Sequence, residues 1–240
     1  MEPMKRNCTV CGGEFEYVKP RSLDASYLGM ETICPACNKK RNDKREAERA
    51  AEEAPRIAEE RKLYWESMWG PRYRESDLDR LPHPQFDQVM AWQYGERGLL
   101  LVGPTGTAKT RCLALLTWRL MVEGRRVRVY GGVDFGHACE QEFMSGGGPE
   151  WARRLGEVEV LVLDDLGKIK LTDRAEAELY GIIERRYGAM KPTLTTTNDT
   201  GDTLAERMTD GRGPAIIRRL RETSEVIVFP ATAGRPAPTL

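Results

Sequence analysis

The segment GLLLVGPTGTAKT (98–110) constrains the fold of this 240-residue chain more than any other segment. It begins with five mostly apolar residues, which predict a buried strand, and continues as a glycine-rich turn before a helical pattern. Such a turn presents backbone N–H groups and a helix N-terminus to a bound phosphate. The usual pattern is Gly, four residues, Gly, Lys and then Ser or Thr. Gly103, Lys109 and Thr110 fit it, but Ala108 stands at the second glycine.

The expected ligand of this turn is ATP together with Mg²⁺. Lys109 would reach the β and γ phosphates, and the Thr110 hydroxyl would hold the Mg²⁺ ion. Alanine at position 108 is favourable for helix propensity, yet its Cβ can crowd the phosphates or force a disfavoured φ. We expect ATP binding to be retained, while fast hydrolysis stays an open question. The alternative is a strand-to-helix turn that binds no ligand.

A second apolar run, VLVLDDLG (160–167), ends in two carboxylates. A buried parallel strand would deliver them to the sheet edge that carries the glycine-rich turn. We expect Asp164 to hold Mg²⁺, directly or through water, and Asp165 to orient or deprotonate the attacking water. Alone, such a pair often only caps the next turn. The predicted nucleotide-binding residues are Gly103, Pro104, Thr105, Gly106, Thr107, Ala108, Lys109, Thr110 and Asp164.

Strand-like runs and helical patterns alternate from about residue 72 onward. The predicted strands cover 98–102, 126–130, 158–163, 192–197 and 225–229. The predicted helices cover about 108–122, 134–144, 173–188 and 214–221. This alternation predicts an α/β fold, in which a parallel sheet is covered by helices on both faces.

Four of the six cysteines form two C-x-x-C pairs near the N-terminus: Cys8 with Cys11, and Cys34 with Cys37. Each pair can place two thiolates on one ion, and two pairs complete a tetrahedral site. We expect one structural Zn²⁺ there, because about 40 residues are too few for a core of their own. Redox-active thiols or an iron–sulfur cluster are the alternatives. The remaining two cysteines are expected to be small buried residues.

The segment between these regions is rich in Lys, Arg, Glu and Ala. Its alanines recur at helical spacing, and Pro55 is expected to kink or break that helix. We predict a zinc module at 1–40, a charged helical linker at 41–71 and an ATPase domain at 72–240. The linker is either a solvated helix with intrahelical ion pairs or a helix that binds a partner or DNA.

Composition restricts the function classes further. The 37 basic and 37 acidic residues give a formal net charge of zero, so any surface that attracts nucleic acid must be local. No apolar run reaches the length that spans a bilayer, and the first residues do not resemble a signal peptide. We therefore expect a cytoplasmic protein without a membrane partner, with its cysteines reduced.

From residue 72 to about 235 the chain resembles the AAA+ ATPases of the DnaC/DnaI helicase-loader and IstB families. The resemblance is carried in order by GLLLVGPTGTAKT, VLVLDDLG, IIERRYGAMKPTLTTTN and GPAIIRRLRETSEVIVF. It implies a P-loop AAA+ domain, and the short tail after the last strand is expected to leave no room for a full C-terminal lid. AAA+ proteins similar to the MoxR and magnesium-chelatase group carry alanine at the place of Ala108. The resemblance thus implies that this residue is tolerated.

The same resemblance assigns further catalytic residues. Asn198, at the end of the fourth strand, corresponds to a first sensor that positions the water. Arg219 corresponds to an arginine that acts on a neighbouring subunit's γ-phosphate, with Arg218 as the fallback. Arg235 matches a second sensor weakly. The alternative for the arginines around Arg219 is a solvated basic helix face.

These inferences combine into one expected function, ATP-dependent loading of a replicative DNA helicase onto single-stranded DNA. In loaders of the DnaI type, the zinc-binding N-terminal domain grips the helicase, and self-association through the ATPase domain completes the catalytic site. Two other functions stay open. One is an IstB-like transposition or phage DNA-handling ATPase, which would bind duplex DNA. The other is a nucleotide-binding scaffold with little hydrolysis.

Overall fold

A computed structural model describes residues 4–17, 33–70, 73, 81–168, 172–198 and 212–231. The chain divides into two compact units, Met1–Glu60 and Arg61–Leu240. The division falls inside a long helix rather than at an extended linker. The three-part division at residues 40 and 71 stays a prediction.

The first unit contains a two-stranded antiparallel hairpin. Strand β1 (Met4–Asn7) pairs with strand β2 (Glu14–Tyr17). The turn between them is closed by the Cys8 N–H, which donates to the Gly13 carbonyl at 2.9 Å. Because the hairpin is short and lacks alternating apolar residues, the sequence did not predict it.

Helix α1 (Pro35–Trp69) begins between the two cysteines of the second pair and continues through Pro55. Of the two predicted outcomes, a break of the helix at Pro55 is wrong, and a kink there stays a prediction. A proline removes one N–H donor and crowds the carbonyl four residues earlier, while the hydrogen bonds of the other turns remain. The residue that carries this carbonyl, Ala51, is exposed, so water can hydrate the freed oxygen.

The second unit contains a five-stranded parallel sheet with the order β4-β5-β6-β3-β7. Its strands are β3 (Gly98–Val102), β4 (Val127–Gly131), β5 (Val160–Asp164), β6 (Thr193–Thr197) and β7 (Ser224–Val228). Its helices are α2 (His83–Ala91), α3 (Lys109–Val122), α4 (Gly132–Met144), α5 (Gly148–Glu157), α6 (Asp173–Gly188) and α7 (Arg212–Glu222). The predicted parallel α/β fold is confirmed. Helices α2 and α5 were not predicted.

Two apolar clusters lie on opposite faces of this sheet. The alternation of side chains along β5 separates them, because successive residues of a strand point to opposite faces. Val160 and Val162 belong to the cluster under α2, α3 and the end of α1, and Leu161 and Leu163 belong to the cluster under α4 to α7. The second unit is therefore a three-layer domain.

The end of α1 is part of the second unit's core. Trp65 and Trp69 are buried, and their indole N–H groups donate at 2.9 Å to the Ala114 carbonyl and the Thr117 hydroxyl of α3. Burying an indole with its N–H paired joins the two helices without an unsatisfied donor. Within the described part of the chain, no helix has the length and apolar character needed to cross a membrane.

The sheet order places three chain segments at one edge. Strand β3 lies between β6 and β7, and β5 is next to β6. In open parallel sheets, ligands bind outside the carboxyl ends of the strands, where the direction of strand order changes. The residues that follow β3, β5 and β6 include Gly103, Asp165 and Asn198, so a ligand site is expected at this edge.

Candidate nucleotide site and metal centre

The glycine-rich turn connects β3 to α3 and needs its first glycine. A Cβ built on Gly103 would lie 2.2 Å from the Phe229 carbonyl oxygen, which follows β7. Such an approach is far shorter than a van der Waals contact, so a side chain at this position would displace the backbone. Gly106 has a φ of 86°, a value that glycine adopts without the strain a Cβ would bring.

Ala108 shows how the chain accommodates the missing second glycine. It is the residue before the first turn of α3, and it adopts φ 68° and ψ 14°, in the left-handed region. An L-residue with a Cβ is disfavoured there by about 1–2 kcal/mol. The disfavoured φ expected from the sequence is therefore present, and the turn keeps its shape at that energetic cost.

Lys109 is buried and lies folded over the turn. Its Nζ donates to the carbonyls of Gly103 at 2.6 Å and Pro104 at 2.8 Å, and to Oδ1 of Asn198 at 2.8 Å. The Thr107 hydroxyl also donates to Pro104, at 2.8 Å. The ammonium group thus lies between the turn and the end of β6.

Asp164, the last residue of β5, accepts two hydrogen bonds on Oδ1. The donors are the Thr196 hydroxyl at 2.6 Å and the Thr110 hydroxyl at 3.0 Å. Burial raises the pKa of Asp164 above its ordinary value, and these two hydrogen bonds oppose the rise. A carboxylate and a hydroxyl oxygen 3.0 Å apart are hard ligands of the kind that Mg²⁺ takes. The two predicted Mg²⁺-side residues are brought together, and Mg²⁺ fits this donor set.

Asp165 and Asn198 are also in contact. The Asn198 amide Nδ2 donates to Oδ1 of Asp165 at 2.9 Å, while its Oδ1 accepts from Lys109. Asp165 has a φ of 59°, and its N–H donates to the Thr196 hydroxyl at 2.8 Å. Lys109, Asn198 and Asp165 therefore form one hydrogen-bonded chain across the turn, β6 and β5.

Thr196 is the residue of this site that the sequence interpretation missed. Its hydroxyl contacts both aspartates, and its side chain is 1% exposed. The signal was the polar run TLTTT (193–197) in a strand that is buried along its whole length. Hydroxyls buried in the middle of a sheet need partners, and the neighbouring strand supplies them.

Arg219 lies on α7 and makes its contacts within the chain. Its Nε donates to Glu184 of α6 at 2.7 Å, and its guanidinium lies 4.0 Å from the ring centre of Tyr187. The hydrogen bond that Arg219 donates to Glu184 raises the pKa of Arg219. Arg218 is more exposed and lies 3.7 Å from Glu222. Arg235, the weak second-sensor match, lies outside the described residues.

The four cysteines of the two C-x-x-C pairs converge on one point. Their sulfur atoms all lie within 4.8 Å of one another, and the Cys11 and Cys34 sulfurs are 3.8 Å apart. Sulfurs that share a tetrahedral Zn²⁺ at about 2.3 Å lie about 3.8 Å from each other. All four are free thiols rather than disulfides. The set fits a tetrahedral Cys₄ zinc site.

Backbone donors favour the thiolate form of one ligand. The N–H groups of Cys34 and Val10 donate to the Cys8 sulfur at 3.3 and 3.4 Å, and the Cys34 bond is the main cause that lowers the pKa of Cys8 to about 6. The neighbouring Cys34 and Cys11 thiols raise the pKa of Cys37 to about 12. Zinc binding requires thiolates, so it would release protons from this cluster.

The sheet order and the glycine-rich turn at its carboxyl edge are those of a P-loop nucleotide-binding domain. The DnaC helicase loader shares this fold with a TM-score of 0.52 and 23% identity, over 66% of this chain and 99% of that chain. DnaI gives a TM-score of 0.55 and 22% identity, over 65% of this chain and 89% of that chain. AMPPCP-bound DnaA from Aquifex aeolicus gives 0.52 and 19%, over 64% of this chain and 47% of that chain. At these identities the likeness is one of fold.

The family follows from the sequence match. The model described as IstB-like ATP binding protein matches residues 79–232, and the chain belongs to that family. The protein YdaV of Escherichia coli strain K12 is 30% identical over 120 residues, which are 46% of this chain and 48% of YdaV. The chain thus matches about half the length of this relative. The predicted membership of the IstB-like proteins is confirmed, and the predicted resemblance to the DnaC and DnaI loaders is confirmed at the level of the fold.

Proposed function

We propose that this protein is an ATPase that loads a replicative DNA helicase onto single-stranded DNA. The observation that supports it is the hydrogen-bonded chain Lys109–Asn198–Asp165 beside the Thr110–Asp164 pair. These groups stand at the carboxyl edge of a fold shared with the DnaC and DnaI proteins.

Each residue of the site has a distinct part in the proposed reaction. Lys109 exchanges its main-chain acceptors for the β and γ phosphates, where its positive charge balances the developing negative charge. Thr110 and Asp164 would hold Mg²⁺, which would supply charge neutralisation to the phosphates when bound. Asn198 and Asp165 orient the attacking water, and Asp165 accepts its proton.

Self-association would complete this site. In the proposed assembly Arg219 leaves Glu184 and reaches the γ-phosphate of a neighbouring copy, and Arg218 is the second candidate for the same role. A trans-acting arginine is worth roughly 10³ to 10⁵ in rate where it has been measured. Arg219→Ala should therefore bind ATP normally and hydrolyse it poorly. Mixing it with Lys109→Ala should restore part of the activity, because each variant supplies what the other lacks.

The cysteine cluster would serve as the attachment to the helicase. We propose that residues 1–70 bind the replicative helicase and that residues 72–240 bind nucleotide and single-stranded DNA, in the cytoplasm. The fit of the four sulfurs to a structural Zn²⁺ site supports a folded module that is built for binding rather than catalysis.

Co-purification of the full chain with the cognate helicase, with and without ATP, tests this function. We expect ATP-dependent recovery of the helicase with the wild type. We also expect Lys109→Ala to bind no ATP analogue and to lose the ATP-dependent part. Equal affinity of the two proteins for the analogue would contradict the role of Lys109, and no helicase recovery would contradict the loader function.

Two observations each favour a different alternative function. The family match to IstB-like proteins favours a DNA-handling ATPase, which would bind duplex DNA and ignore the helicase. The strained φ of Ala108 and the well-paired Lys109 favour a scaffold that binds nucleotide without turnover. If Ala108→Gly raised turnover more than tenfold, the site would be an attenuated ATPase.

A further inference from the structure

A basic cleft of about 750 Å³ lies in the second unit, at the amino ends of β4 and β5. The sheet is parallel, so this edge is opposite to the one that carries the nucleotide site. The cationic residues that line the cleft are Arg61, Arg125, Arg126, Arg128, Arg154 and Lys191. Tyr64 and the end of α3 complete the wall.

The cleft concentrates positive charge in a chain whose net charge is zero. Six cations and one carboxylate, Glu157, line it. Glu159 lies within 3.3 Å of two of the arginines and Glu142 within 3.8 Å of a third. When these two carboxylates are included, the cations still exceed the acids by three. A concave surface with such an excess attracts polyanions more strongly than the same charges would on a convex surface.

Two of the arginines have no carboxylate partner in the part of the chain that the structure describes. Arg61 donates to the Val122 carbonyl, at 3.5 Å. Arg128 donates to the Tyr64 hydroxyl, and its guanidinium lies 5.4 Å from the Tyr64 ring centre. Their charges are available to an incoming anion without the loss of an ion pair.

Planar side chains lie among these charged residues. Tyr64 is only partly buried and forms the aromatic part of the wall. The guanidinium of Arg125 lies 4.0 Å from the centre of the Tyr94 ring. Aromatic rings and guanidinium planes are the surfaces on which unpaired bases stack, while arginines hold the phosphates between them.

We propose that this cleft binds the phosphodiester backbone of single-stranded DNA. The proposal rests on the proposed loader function for its choice of DNA, and it deepens that function by naming the residues that contact the strand. Arg61 and Tyr64 extend the proposed DNA-binding part of the chain from residues 72–240 back to the end of α1. A concave cleft with an aromatic wall suits a strand whose bases are free to stack. A duplex keeps its bases paired inside and presents its phosphates on a convex surface, which suits the cleft less well.

The test compares the full chain with the double variant Arg61→Gln, Arg128→Gln. Each lost phosphate contact should reduce the slope of log affinity against log salt by about 0.7 for single strands, so we expect a reduction of about 1.4. Affinity for a fluorescent 30-nucleotide oligothymidylate should fall roughly tenfold at low salt. Fluorescence anisotropy at several salt concentrations measures both quantities.

The matched control is Lys44→Gln, Arg56→Gln, which removes the same charge from exposed positions of α1 that do not line the cleft. It should change affinity less than twofold. Equal binding by the cleft variant and the wild type, or an equal loss in both variants, would overturn the proposal. So would tighter binding of a duplex or of inorganic polyphosphate than of the oligothymidylate.

Two further measurements on the same variants separate this proposal from the loader function. ATP-analogue affinity and the melting temperature of the cleft variant should equal those of the wild type, because neither residue contacts the nucleotide site. Helicase co-purification reports on the loader function independently of DNA. Helicase recovery with unchanged DNA binding would overturn the cleft and leave the loader function standing.

Discussion

The two units of this chain are stabilised by different means. Among the described residues of Met1–Glu60, only Cys8 is buried. The second unit has two apolar clusters, one on each face of its sheet. A few dozen residues without an apolar core fold only when a metal or disulfides hold them together. The first unit therefore depends on its cysteines, and the second depends on apolar burial and on the satisfaction of its buried polar groups.

The largest effect is expected from removing the metal of the first unit. Cys34→Ser with Cys37→Ser should reduce zinc from about one ion per chain to none, because a tetrahedral site needs four ligands. Structural zinc contributes about 10–16 kcal/mol to the folding of zinc-finger peptides, so the first unit should lose its structure. Elemental analysis and limited proteolysis of the full chain measure both results.

The control for this prediction is Cys112→Ala, which removes a buried thiol of α3 in the second unit. That variant should keep its zinc and lower only the stability of the second unit. Zinc retained in full by the double serine variant would contradict the Cys₄ site.

The next largest effect is expected from removing a buried polar contact in the second unit. Arg186 is 1% exposed, and its guanidinium donates to the carbonyls of Leu155, Val158 and Pro192 and to the Thr193 hydroxyl. Arg186→Met leaves these acceptors unpaired in the interior. The free energy of unfolding of the second unit should fall by about 3–5 kcal/mol, as when a buried ionic contact loses one partner.

Urea denaturation measures that loss, and the neighbouring Arg185→Met is the control. Arg185 is exposed, and its guanidinium donates to the Ala152 carbonyl at 3.2 Å. Its variant should lose about 1 kcal/mol or less. Similar losses in both variants would show that the buried guanidinium has no special part, and neither variant should change the zinc content.

A third prediction concerns a residue that weakens the second unit. Burial raises the pKa of Asp164, so the folded state binds its proton more tightly than the unfolded state. The contribution of the Asp164 carboxyl group to the free energy of unfolding is fully present below the ordinary pKa of an aspartate. It is lost as the pH rises through the raised pKa of the folded state. Asp164→Asn should therefore stabilise the nucleotide-free protein by about 1 kcal/mol near pH 7.

That gain should shrink as the pH falls toward 4, because the carboxyl group of the folded wild type then becomes protonated and its buried charge is lost. Unfolding titrations between pH 4 and 8 measure it. The same variant should lose the Mg²⁺-dependent part of its stabilisation by ATP. A gain that does not change with pH would mean that the charge of Asp164 is not its cause.

The smallest expected effect is at Ala108. Replacing it with glycine relieves a left-handed φ of 68° and should stabilise the second unit by about 1 kcal/mol or less. Ala114→Gly, in the interior of the same helix, should destabilise the unit by at least about 1 kcal/mol. Thermal unfolding should show a raised melting temperature for Ala108→Gly and a lowered one for Ala114→Gly. Two shifts of the same sign would contradict the proposal that Ala108 is strained.

The strands and the site edge could be predicted because their signals are local. Each of the five predicted strand-like runs overlaps one of the five strands. Continuous apolar stretches mark the strands at 98–102 and 160–164, and the β-branched threonines of TLTTT mark the strand at 193–197. Gly103 and Asn198 follow two of these strands and Asp164 ends a third, so the parallel topology alone brings them to one edge. Neither step needs knowledge of how the side chains pack.

The features that were missed depend on packing. Helix α5 begins Gly148-Pro149 after a glycine run, a pattern that resembles a loop. Arg186 reads as one of several surface arginines, and only the carbonyls that surround it reveal that it is buried. A local rule for proline predicts a helix break at Pro55, but the helix continues through this exposed turn. The φ of Ala108 is set by the shape of the turn rather than by its own preference.

Helix α3 begins at Lys109 beside the nucleotide site and ends at Val122 beside the proposed DNA cleft. Its 14 residues span about 21 Å at 1.5 Å per residue, so a single rigid element reaches both edges of the sheet. Thermodynamic linkage between two such sites is reciprocal. If ATP changes the affinity for the DNA strand by some factor, the strand must change the affinity for ATP by the same factor. Titrating DNA with and without ATP therefore also determines the effect of DNA on ATP binding.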